Sequence, residues 1–283
     1  MRFEKWQALG NDYVIIEARA LPFPLTAERV RRLCAPHTGI GADGVLLLGE
    51  PSEAGFAAAL RIFNPDGSEA ELSGNGARQA ALYLRRRGIA RAERFSIETR
   101  AGEIRPRITS EQTCTIELGQ ARLRSADYPS GGDDGRGELL AGGRRWRFQH
   151  VQVGNPQCAI RVESAGVLER LPVAEYGPAI ERHELFPNRT NVSWYAVLGP
   201  DRIRARIFER GVGETSASGT GAVGAAVAHV LAGGASPVTV ELDGGELEVA
   251  VDEDLRIELS GWARPVFAGT LSDELLEELH AAE

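Results

Sequence analysis

Small and apolar residues run almost without interruption through positions 219–232, directly after a strand-like segment at 206–208 and a polar, glycine-rich turn. Because this stretch has no clear polar face, it predicts a helix that is buried all round. Such a helix must satisfy the free N–H groups of its first turn. Ser218 is placed to cap it, and an anionic ligand can bind the remaining N–H groups, where the helix dipole favours negative charge.

The first half of the chain carries the same pattern. Residues 61–78 read Arg-Ile-Phe, a polar turn, and then Ser-Gly-Asn-Gly-Ala, which matches Ser-Gly-Thr-Gly-Ala at the second helix start. Ser73 corresponds to Ser218 and Asn64 to Glu209, at one common spacing. Similar spacings relate Gly10-Asn11 to Gly154-Asn155. Spacings that stay nearly constant along the chain indicate a duplicated fold and not a chance motif.

Shorter patterns predict the elements around these two motifs. They are a hairpin over 3–18, a helix over 26–33 capped by Thr26, a tight turn over 39–44 before a strand at 45–48, a helix from Ser73 to Arg87 ended by Gly88, a surface helix over 168–180, a loop at 188–193 entering a strand, and a terminal helix over 273–282. A segment rich in Gly, Asp and Ser over 127–143 predicts the connection between the halves.

Length and the repeat together predict two domains. We expect an N-terminal half over 1–130, with C-terminal residues crossing over to it, and a C-terminal half over 144–283. The chain of 283 residues is 43% apolar and carries a net charge of −8. That acidity excludes a basic footprint for nucleic acid or an anionic membrane. No segment has the length and apolarity of a signal peptide or a bilayer span, so the expected location is the cytoplasm.

Three scattered cysteines and isolated histidines offer neither a disulfide framework nor metal-ligand spacing, and we expect no metal. No lysine stands in a cofactor context, and we expect no cofactor. A repeat with one ligand between its halves would place two similar groups on opposite sides of that ligand. This geometry suits stereoinversion, in which one side chain removes a proton from carbon and its counterpart returns one on the other face. The two helix starts would hold a carboxylate and stabilise enolate charge.

The combined motifs resemble the diaminopimelate epimerase family, which consists of cofactor-independent amino-acid epimerases. The resemblance covers almost the whole chain, in order, through Ala-Leu-Gly-Asn-Asp (8–12), Gly-Ile-Gly-Ala-Asp-Gly (39–44), Asn-Pro-Asp-Gly-Ser-Glu (64–69), Gly-Asn-Gly-Ala-Arg (74–78), Gly-Asn-Pro (154–156), Thr-Asn-Val (190–192), Glu-Arg-Gly-Val-Gly-Glu-Thr (209–215) and Gly-Thr-Gly (219–221).

The resemblance implies an α/β (α+β) fold of two pseudo-symmetric halves, each a curved, mostly antiparallel sheet around a central helix, with the active site in the cleft between them. It implies interconversion of LL- and meso-diaminopimelate by two-base proton transfer, a step toward lysine and peptidoglycan precursors. The catalytic positions would be Ser73, Ser218 and Glu209. The implied substrate contacts are Asn11, Asn64, Gly74, Asn75, Asn155, Asn191, Glu209, Arg210, Gly219 and Thr220.

The chain departs from the family pattern at its catalytic positions. The family has cysteines before Gly-Asn-Gly and Gly-Thr-Gly, where this chain has Ser73 and Ser218, and Gln157 replaces the histidine after Gly-Asn-Pro. A thiol is partly ionised near neutral pH, whereas a serine hydroxyl needs an adjacent base. Glu209 could supply that base to Ser218; the sequence offers no counterpart for Ser73.

Three explanations remain open at this point. The chain is an epimerase with activated serines; or it is a non-epimerising paralogue, such as an isomerase, a dehydratase or a binding protein for a small amino or hydroxy acid; or both cysteines were replaced deliberately. Gln157 weighs against the third. Taken singly, each serine reads as an N-cap. A pure scaffold is disfavoured, since buried amides without a ligand are costly. The expected partner is a small amino dicarboxylate, with no nucleic acid and no membrane, and a homodimer is compatible with the sequence.

Overall fold

The computed structural model describes residues 1–71 and 73–282, so that Leu72, inside the first repeat motif, and Glu283 lie outside the described residues. The chain divides into two compact units. Unit 1 contains Met1–Ile116 and Gly261–Glu283, and unit 2 contains Glu117–Ser260. Within the described residues, no helix is both long and apolar enough to cross a membrane.

The described residues of unit 1 include a mixed sheet and three helices. Its strands are β1 (Arg2–Ala8), β2 (Asn11–Glu17), β3 (Val45–Gly49), β4 (Phe56–Phe63), β5 (Glu69–Ala70), β6 (Ser96–Thr99), β7 (Gly102–Ile104), β8 (Pro106–Ile108), the start of β9 (Thr113–Gln120), and β19 (Arg264–Thr270). Its helices are α1 (Ala27–Cys34), α2 (Gly74–Arg86) and α6 (Asp273–Ala281), with a short 3₁₀ turn at Ala18–Ala20. The sheet order is β19-β1-β2-β3-β4-β6-β7, with β5 paired to β4.

Unit 2 contains the remaining elements. Its strands are β10 (Arg136–Ala141), β11 (Arg144–Val153), β12 (Asn155–Arg161), β13 (Asn191–Gly199), β14 (Arg202–Glu209), β15 (Gly213–Thr215), β16 (Val238–Leu242), β17 (Gly245–Val251) and β18 (Arg256–Trp262). Its helices are α3 (Ala165–Glu169), α4 (Val173–Glu181) and α5 (Gly219–Leu231). The second sheet has the order β10-β11-β12-β13-β14-β16-β17-β18-β9-β8, with β15 paired to β14.

The two sheets repeat one topology, which confirms the predicted pseudo-symmetric fold. In unit 1 the pairs β1–β2 and β3–β4 are antiparallel while β2–β3 and β4–β6 are parallel. In unit 2 the pairs β11–β12 and β13–β14 are antiparallel while β12–β13 and β14–β16 are parallel. Both sheets are mostly antiparallel, as expected.

Matching ion pairs mark the same position in both sheets. Arg61 on β4 lies 2.8 Å from Glu69 on β5, and Arg206 on β14 lies 2.6 Å from Glu214 on β15. Each pair ties the short strand back to its neighbour, immediately before the turn that leads into the long helix. The duplication seen in the sequence therefore extends to side-chain contacts.

The long helices α2 and α5 form the centre of their units. Helix α5 packs against β11, β12 and β13, and its residues from Gly221 to His229 are buried, as its uniformly small and apolar sequence predicts. Helix α2 packs against β1 and β2 and ends at Arg86, before Gly88 with φ 69°. A glycine adopts that left-handed conformation without steric cost, so the predicted helix end is confirmed.

Two predicted segments differ from the structure. The single helix expected over 168–180 is two helices, α3 and α4. Pro172 lies between them; it has no N–H to bond back to the preceding turn, and its ring disfavours a helical conformation at Leu171. The segment 127–143, expected as a connection, contains strand β10, which pairs with β11 through Leu139 and Trp146. Apart from Gly137, which lies in β10, its glycines and aspartates lie outside the strand, on either side of it.

Candidate active site

Ser73 caps helix α2 with its side chain. Its backbone is extended (φ −134°, ψ 121°), and its Oγ accepts a hydrogen bond from the N–H of Gly76 at 3.1 Å. The hydroxyl of Tyr13 donates a second hydrogen bond to the same Oγ at 3.3 Å. The N–H groups of Gly74 and Asn75 precede the first intrahelical bonds, so they are available to an anion at this helix start.

Ser218 caps α5 in nearly the same conformation. Its backbone has φ −132° and ψ 119°, and its Oγ accepts from the N–H of Gly221 at 3.3 Å. Ser218 is 4% exposed. Gly219 and Thr220 occupy the first turn, where the N–H groups again favour an anion. The expected equivalence of the two helix starts is thus present in backbone angles and cap contacts alike.

Glu209, at the end of β14, is the carboxyl group beside Ser218. Burial raises its pKa, and hydrogen bonds from Thr215 and Ser218 act in the opposite direction. The hydroxyl of Thr215 donates to Oε1 of Glu209 at 2.8 Å. When the Glu209 carboxyl is ionised it only accepts hydrogen bonds, so in that state the Ser218 hydroxyl donates to Glu209. A lone pair of Ser218 Oγ is then left to accept a proton from elsewhere.

The equivalent position in unit 1 cannot titrate. Asn64 donates from Nδ2 to Ser68 Oγ at 2.9 Å. Across residues 1–71 and 73–282, the side chain of Ser73 is hydrogen-bonded to Tyr13 and Gly76, neither of which is a carboxylate or an imidazole. The two helix starts are therefore alike in geometry, but only Ser218 has a carboxyl group as a neighbour.

Asn155 begins β12, next to the turn at Gly154. Its Nδ2 donates to the Thr220 hydroxyl at 3.3 Å, and its Oδ1 accepts from Nε2 of Gln157 at 2.5 Å. The first of these hydrogen bonds joins two predicted contact residues, Asn155 and Thr220. Gln157 is fully buried, and its Oε1 has no hydrogen-bond partner among the described residues.

Asn191 and Arg210 are joined directly. The backbone N–H of Arg210 donates to Oδ1 of Asn191 at 2.7 Å, and the guanidinium of Arg210 donates to the carbonyl of Asn188 at 2.9 Å. Asn191 is 3% exposed, whereas Arg210 lies in an exposed turn. A cation in that turn, behind an oriented amide, is suited to bind a carboxylate.

Asn11 lies at the turn between β1 and β2, the place that Asn155 takes in unit 2. Its Nδ2 donates to Asp43 at 2.9 Å, and its carbonyl accepts from Gln79 of α2 at 3.0 Å. Asn75, in the first turn of α2, is 7% exposed and accepts at Oδ1 from Arg78 at 2.5 Å. With that oxygen occupied, the amide N–H groups of Asn75 are left to bind other groups.

Unit 1 thus holds part of the predicted set and unit 2 the rest. The candidates in unit 1 are Asn11, Asn64, Ser73, Gly74 and Asn75. Those in unit 2 are Asn155, Asn191, Glu209, Arg210, Ser218, Gly219 and Thr220.

Three contributors were missed from sequence. Tyr13 contacts Ser73, Thr215 contacts Glu209, and the buried carboxyl of Glu181 accepts from the N–H of Gly211 at 3.1 Å. Tyr13 and Thr215 lie within or next to recognised motifs, which was the available signal. Glu181 lies outside any motif, in α4, and only the tertiary structure brings it to the Arg210 turn.

The three cysteines do not replace the missing thiols. Cys34, Cys114 and Cys158 are buried and unpaired, and burial raises the thiol pKa of Cys34 and Cys114 to about 12 and that of Cys158 well above its usual range. They stay protonated at neutral pH and unreactive. The described side chains also contain no cluster of His, Cys, Asp or Glu suited to hold a metal ion.

A family model described as diaminopimelate epimerase matches residues 3–124 and 149–264. A diaminopimelate epimerase of Synechococcus sp. (strain JA-3-3Ab) is 42% identical over 282 residues, covering 96% of this chain and 99% of the relative. That of Pelotomaculum thermopropionicum is 42% identical over 281 residues, covering 95% and 98%. A solved hydroxyproline epimerase from Agrobacterium vitis is similar in fold, with a TM-score of 0.67 at 14% identity, covering 95% and 91%.

Proposed function

Because the chain belongs to the diaminopimelate epimerase family, we propose that it interconverts LL- and meso-diaminopimelate without a cofactor. The reaction would serve lysine and peptidoglycan-precursor synthesis in the cytoplasm. The observation that supports it best is the pair of equivalent helix starts, where Ser73 and Ser218 cap α2 and α5 with matching geometry. Each start is proposed to contribute its N–H groups to substrate binding, and the chain is proposed to act as a homodimer.

Ser218 is the proposed base. Its hydroxyl proton is directed at Glu209, whose pKa is raised by burial. As Ser218 Oγ takes the α-proton of the substrate, its own proton passes to the Glu209 carboxylate, and the electron pair of the broken C–H bond stays on the substrate as an enolate. Glu209 therefore makes up for the low acidity of a serine hydroxyl compared with a thiol.

The N–H groups at Gly74, Gly219 and Thr220 are proposed to bind the substrate carboxylate, which carries extra charge in the enolate. Further contacts to the amino dicarboxylate are assigned to the amides of Asn11, Asn64, Asn75, Asn155 and Asn191 and to Arg210. These groups supply orientation, and the dipoles of α2 and α5 supply electrostatic stabilisation.

A second candidate follows from the asymmetry between the serines. Ser218 has a carboxyl partner, whereas Asn64, at the equivalent place in unit 1, carries no titratable group. This difference favours a relative that exchanges a proton on one face only, as an isomerase or dehydratase of a small amino or hydroxy acid would.

Incubation with LL-diaminopimelate in deuterated water separates the two candidates. The proposed function predicts solvent deuterium at the α-carbon together with meso-diaminopimelate, followed by proton NMR and chiral chromatography. Exchange with retained configuration would support the one-sided reaction instead. Neither exchange nor meso product, at enzyme concentrations that saturate with ligand by calorimetry, would reject both reactions. The variant with Ser73→Ala and Ser218→Ala is the matched control.

A further inference from the structure

Tyr13 is a buried side chain that the mechanism above does not use. It lies on β2, opposite Trp6 of β1, and is 5% exposed. Its ring rests against the backbone of Gly44, where an added Cβ would lie 2.6 Å from Tyr13 Cε1. The ring is therefore held in place by packing, and its hydroxyl is held at 3.3 Å from Ser73 Oγ.

The hydrogen bonds at Ser73 fix the direction of its own proton. A serine oxygen has two acceptor lone pairs and one O–H. Ser73 Oγ accepts from Gly76 N–H at 3.1 Å and from the Tyr13 hydroxyl, so both lone pairs are used. The Ser73 O–H is then left to donate to another group. In the proposed mechanism Ser218 has the opposite polarity, since its hydroxyl donates to the ionised Glu209 carboxylate.

We propose that Tyr13 is a positioning and proton-supplying residue that makes Ser73 the acid of the proposed reaction. The inference rests on the proposed function. Ser73 gives its hydroxyl proton to the enolate carbon, which forms the new C–H bond from the enolate electron pair. The Tyr13 phenol passes its proton to Ser73 Oγ and becomes a phenolate. After product release, solvent removes the proton from Glu209 and returns one to Tyr13, which completes the balance.

The physical reason is that an alcohol is too weak an acid to leave an alkoxide behind. A phenol is a much stronger acid than an alcohol, with an ordinary pKa of about 10. Two hydrogen bonds into Ser73 Oγ also stabilise the negative charge that develops there. Tyr13 would thus supply a proton to Ser73, whereas Glu209 accepts a proton from Ser218. Each thiol of the family pattern would be replaced by a serine hydroxyl and a partner side chain.

The first test combines Tyr13→Phe with Ser73→Cys. In the wild-type background, Tyr13→Phe should lower kcat for LL-to-meso conversion by about 100-fold or more, with little change in KM. In the Ser73→Cys background the same change should alter kcat less than about threefold, because a thiol supplies its own proton. Tyr13→Phe should change the dependence of kcat on alkaline pH in the wild-type background but not in the Ser73→Cys background. Tyr195→Phe removes a buried hydroxyl in unit 2 and is the matched control.

The second test needs no ligand. In Ser73→Cys, a hydrogen bond from Tyr13 would stabilise the thiolate, so adding Tyr13→Phe should move the pH midpoint of iodoacetamide alkylation upward by about one pH unit. The three native cysteines are buried and react slowly. An unchanged midpoint, or equal loss of kcat in both backgrounds, would overturn the inference. A wild type without exchange but with a shifted midpoint would reject the proposed reaction while supporting the contact between positions 13 and 73.

Discussion

Gln157 donates a hydrogen bond from Nε2 to Oδ1 of Asn155 at 2.5 Å. This contact determines which end of the Asn155 amide is available to other partners. With Oδ1 occupied, Asn155 presents its N–H groups, one of which reaches the Thr220 hydroxyl. Gln157 itself is enclosed by α5, where a Cβ added at Gly224 would lie 2.7 Å from the Gln157 Cβ. A residue without titratable chemistry thus orients a predicted contact residue.

Gly224→Ala should disturb this arrangement. Forcing a methyl group against Gln157 costs about 1–3 kcal/mol, and the better helix propensity of alanine returns about 1 kcal/mol. We expect a net loss of about 1 kcal/mol in urea unfolding and several-fold weaker ligand binding by calorimetry. Gly49→Ala, where the nearest atom to the new Cβ is 3.8 Å away, should change neither quantity. Equal effects of both variants would contradict this account of Gln157.

Ser218→Cys and Ser73→Cys should raise the epimerisation rate when combined. A thiol has an ordinary pKa of about 8.5, so it exchanges protons at neutral pH without help from a neighbour. We expect the double variant to convert LL- to meso-diaminopimelate about 100-fold faster than the wild type, measured by chiral chromatography. A double variant that binds ligand yet is no faster would show that proton transfer at these positions does not limit the reaction.

Glu209→Gln should change both activity and the pH dependence of stability. Loss of the carboxylate removes the acceptor for the Ser218 proton, so kcat should fall by about 10²–10⁴-fold. Because burial raises the pKa of Glu209, the folded state holds its proton more tightly than the unfolded state. The contribution of this group to stability is complete below its ordinary pKa and falls as pH rises through the raised value.

The stability of Glu209→Gln relative to wild type should therefore increase as pH rises through that window. Urea unfolding of both proteins at pH 4 and at pH 7 measures the difference. Glu248→Gln, at an exposed strand position, should give a difference that does not depend on pH. A fall in the relative stability of Glu209→Gln with rising pH would mean that the carboxylate is stabilised, and not penalised, in the folded state.

Ser73→Ala and Ser218→Ala should each remove a helix cap. The cost is about 1 kcal/mol for each, since the N–H of Gly76 or Gly221 loses its side-chain acceptor. Chemical unfolding of the single variants measures it, with Ser272→Ala, which removes the cap of α6, as the comparison. Activity should fall far more than this stability change explains. Loss of the cap energy without loss of activity would leave the serines purely structural.

Glu181→Met should loosen the Arg210 turn. The buried carboxyl of Glu181 accepts from Gly211 N–H and lies 3.1 Å from Arg182, so an apolar replacement leaves that N–H without its acceptor. Amide exchange followed by NMR should accelerate at Gly211 and Arg210 but not at Gly221, and KM should rise more than kcat falls. Glu184→Gln, exposed beyond the end of the same helix, is the control. Unchanged exchange at Gly211 would contradict the positioning role.

The sequence alone determined the duplicated fold and the two helix starts. The small, apolar run of α5 and the repeated Ser-Gly-x-Gly-Ala motif are local patterns, and helix capping depends on residues within one turn. Ser73 and Ser218 are therefore found as caps where the sequence places them. The position of Asn11 and Asn155 at equivalent hairpin turns follows from the same local reasoning.

Tertiary structure alone decided which side chains contact the hydroxyls of Ser73 and Ser218. Tyr13 and Ser73 are 60 positions apart, and Glu181 and Gly211 are 30 apart, so no local pattern reports these contacts. The predicted helix over 168–180 is divided at Pro172. Strand β10 formed inside an expected connection because strand pairing with β11 overrides local turn signals. Proton direction at each serine depends on partners that folding brings together, whereas the serines themselves are fixed by their own helices.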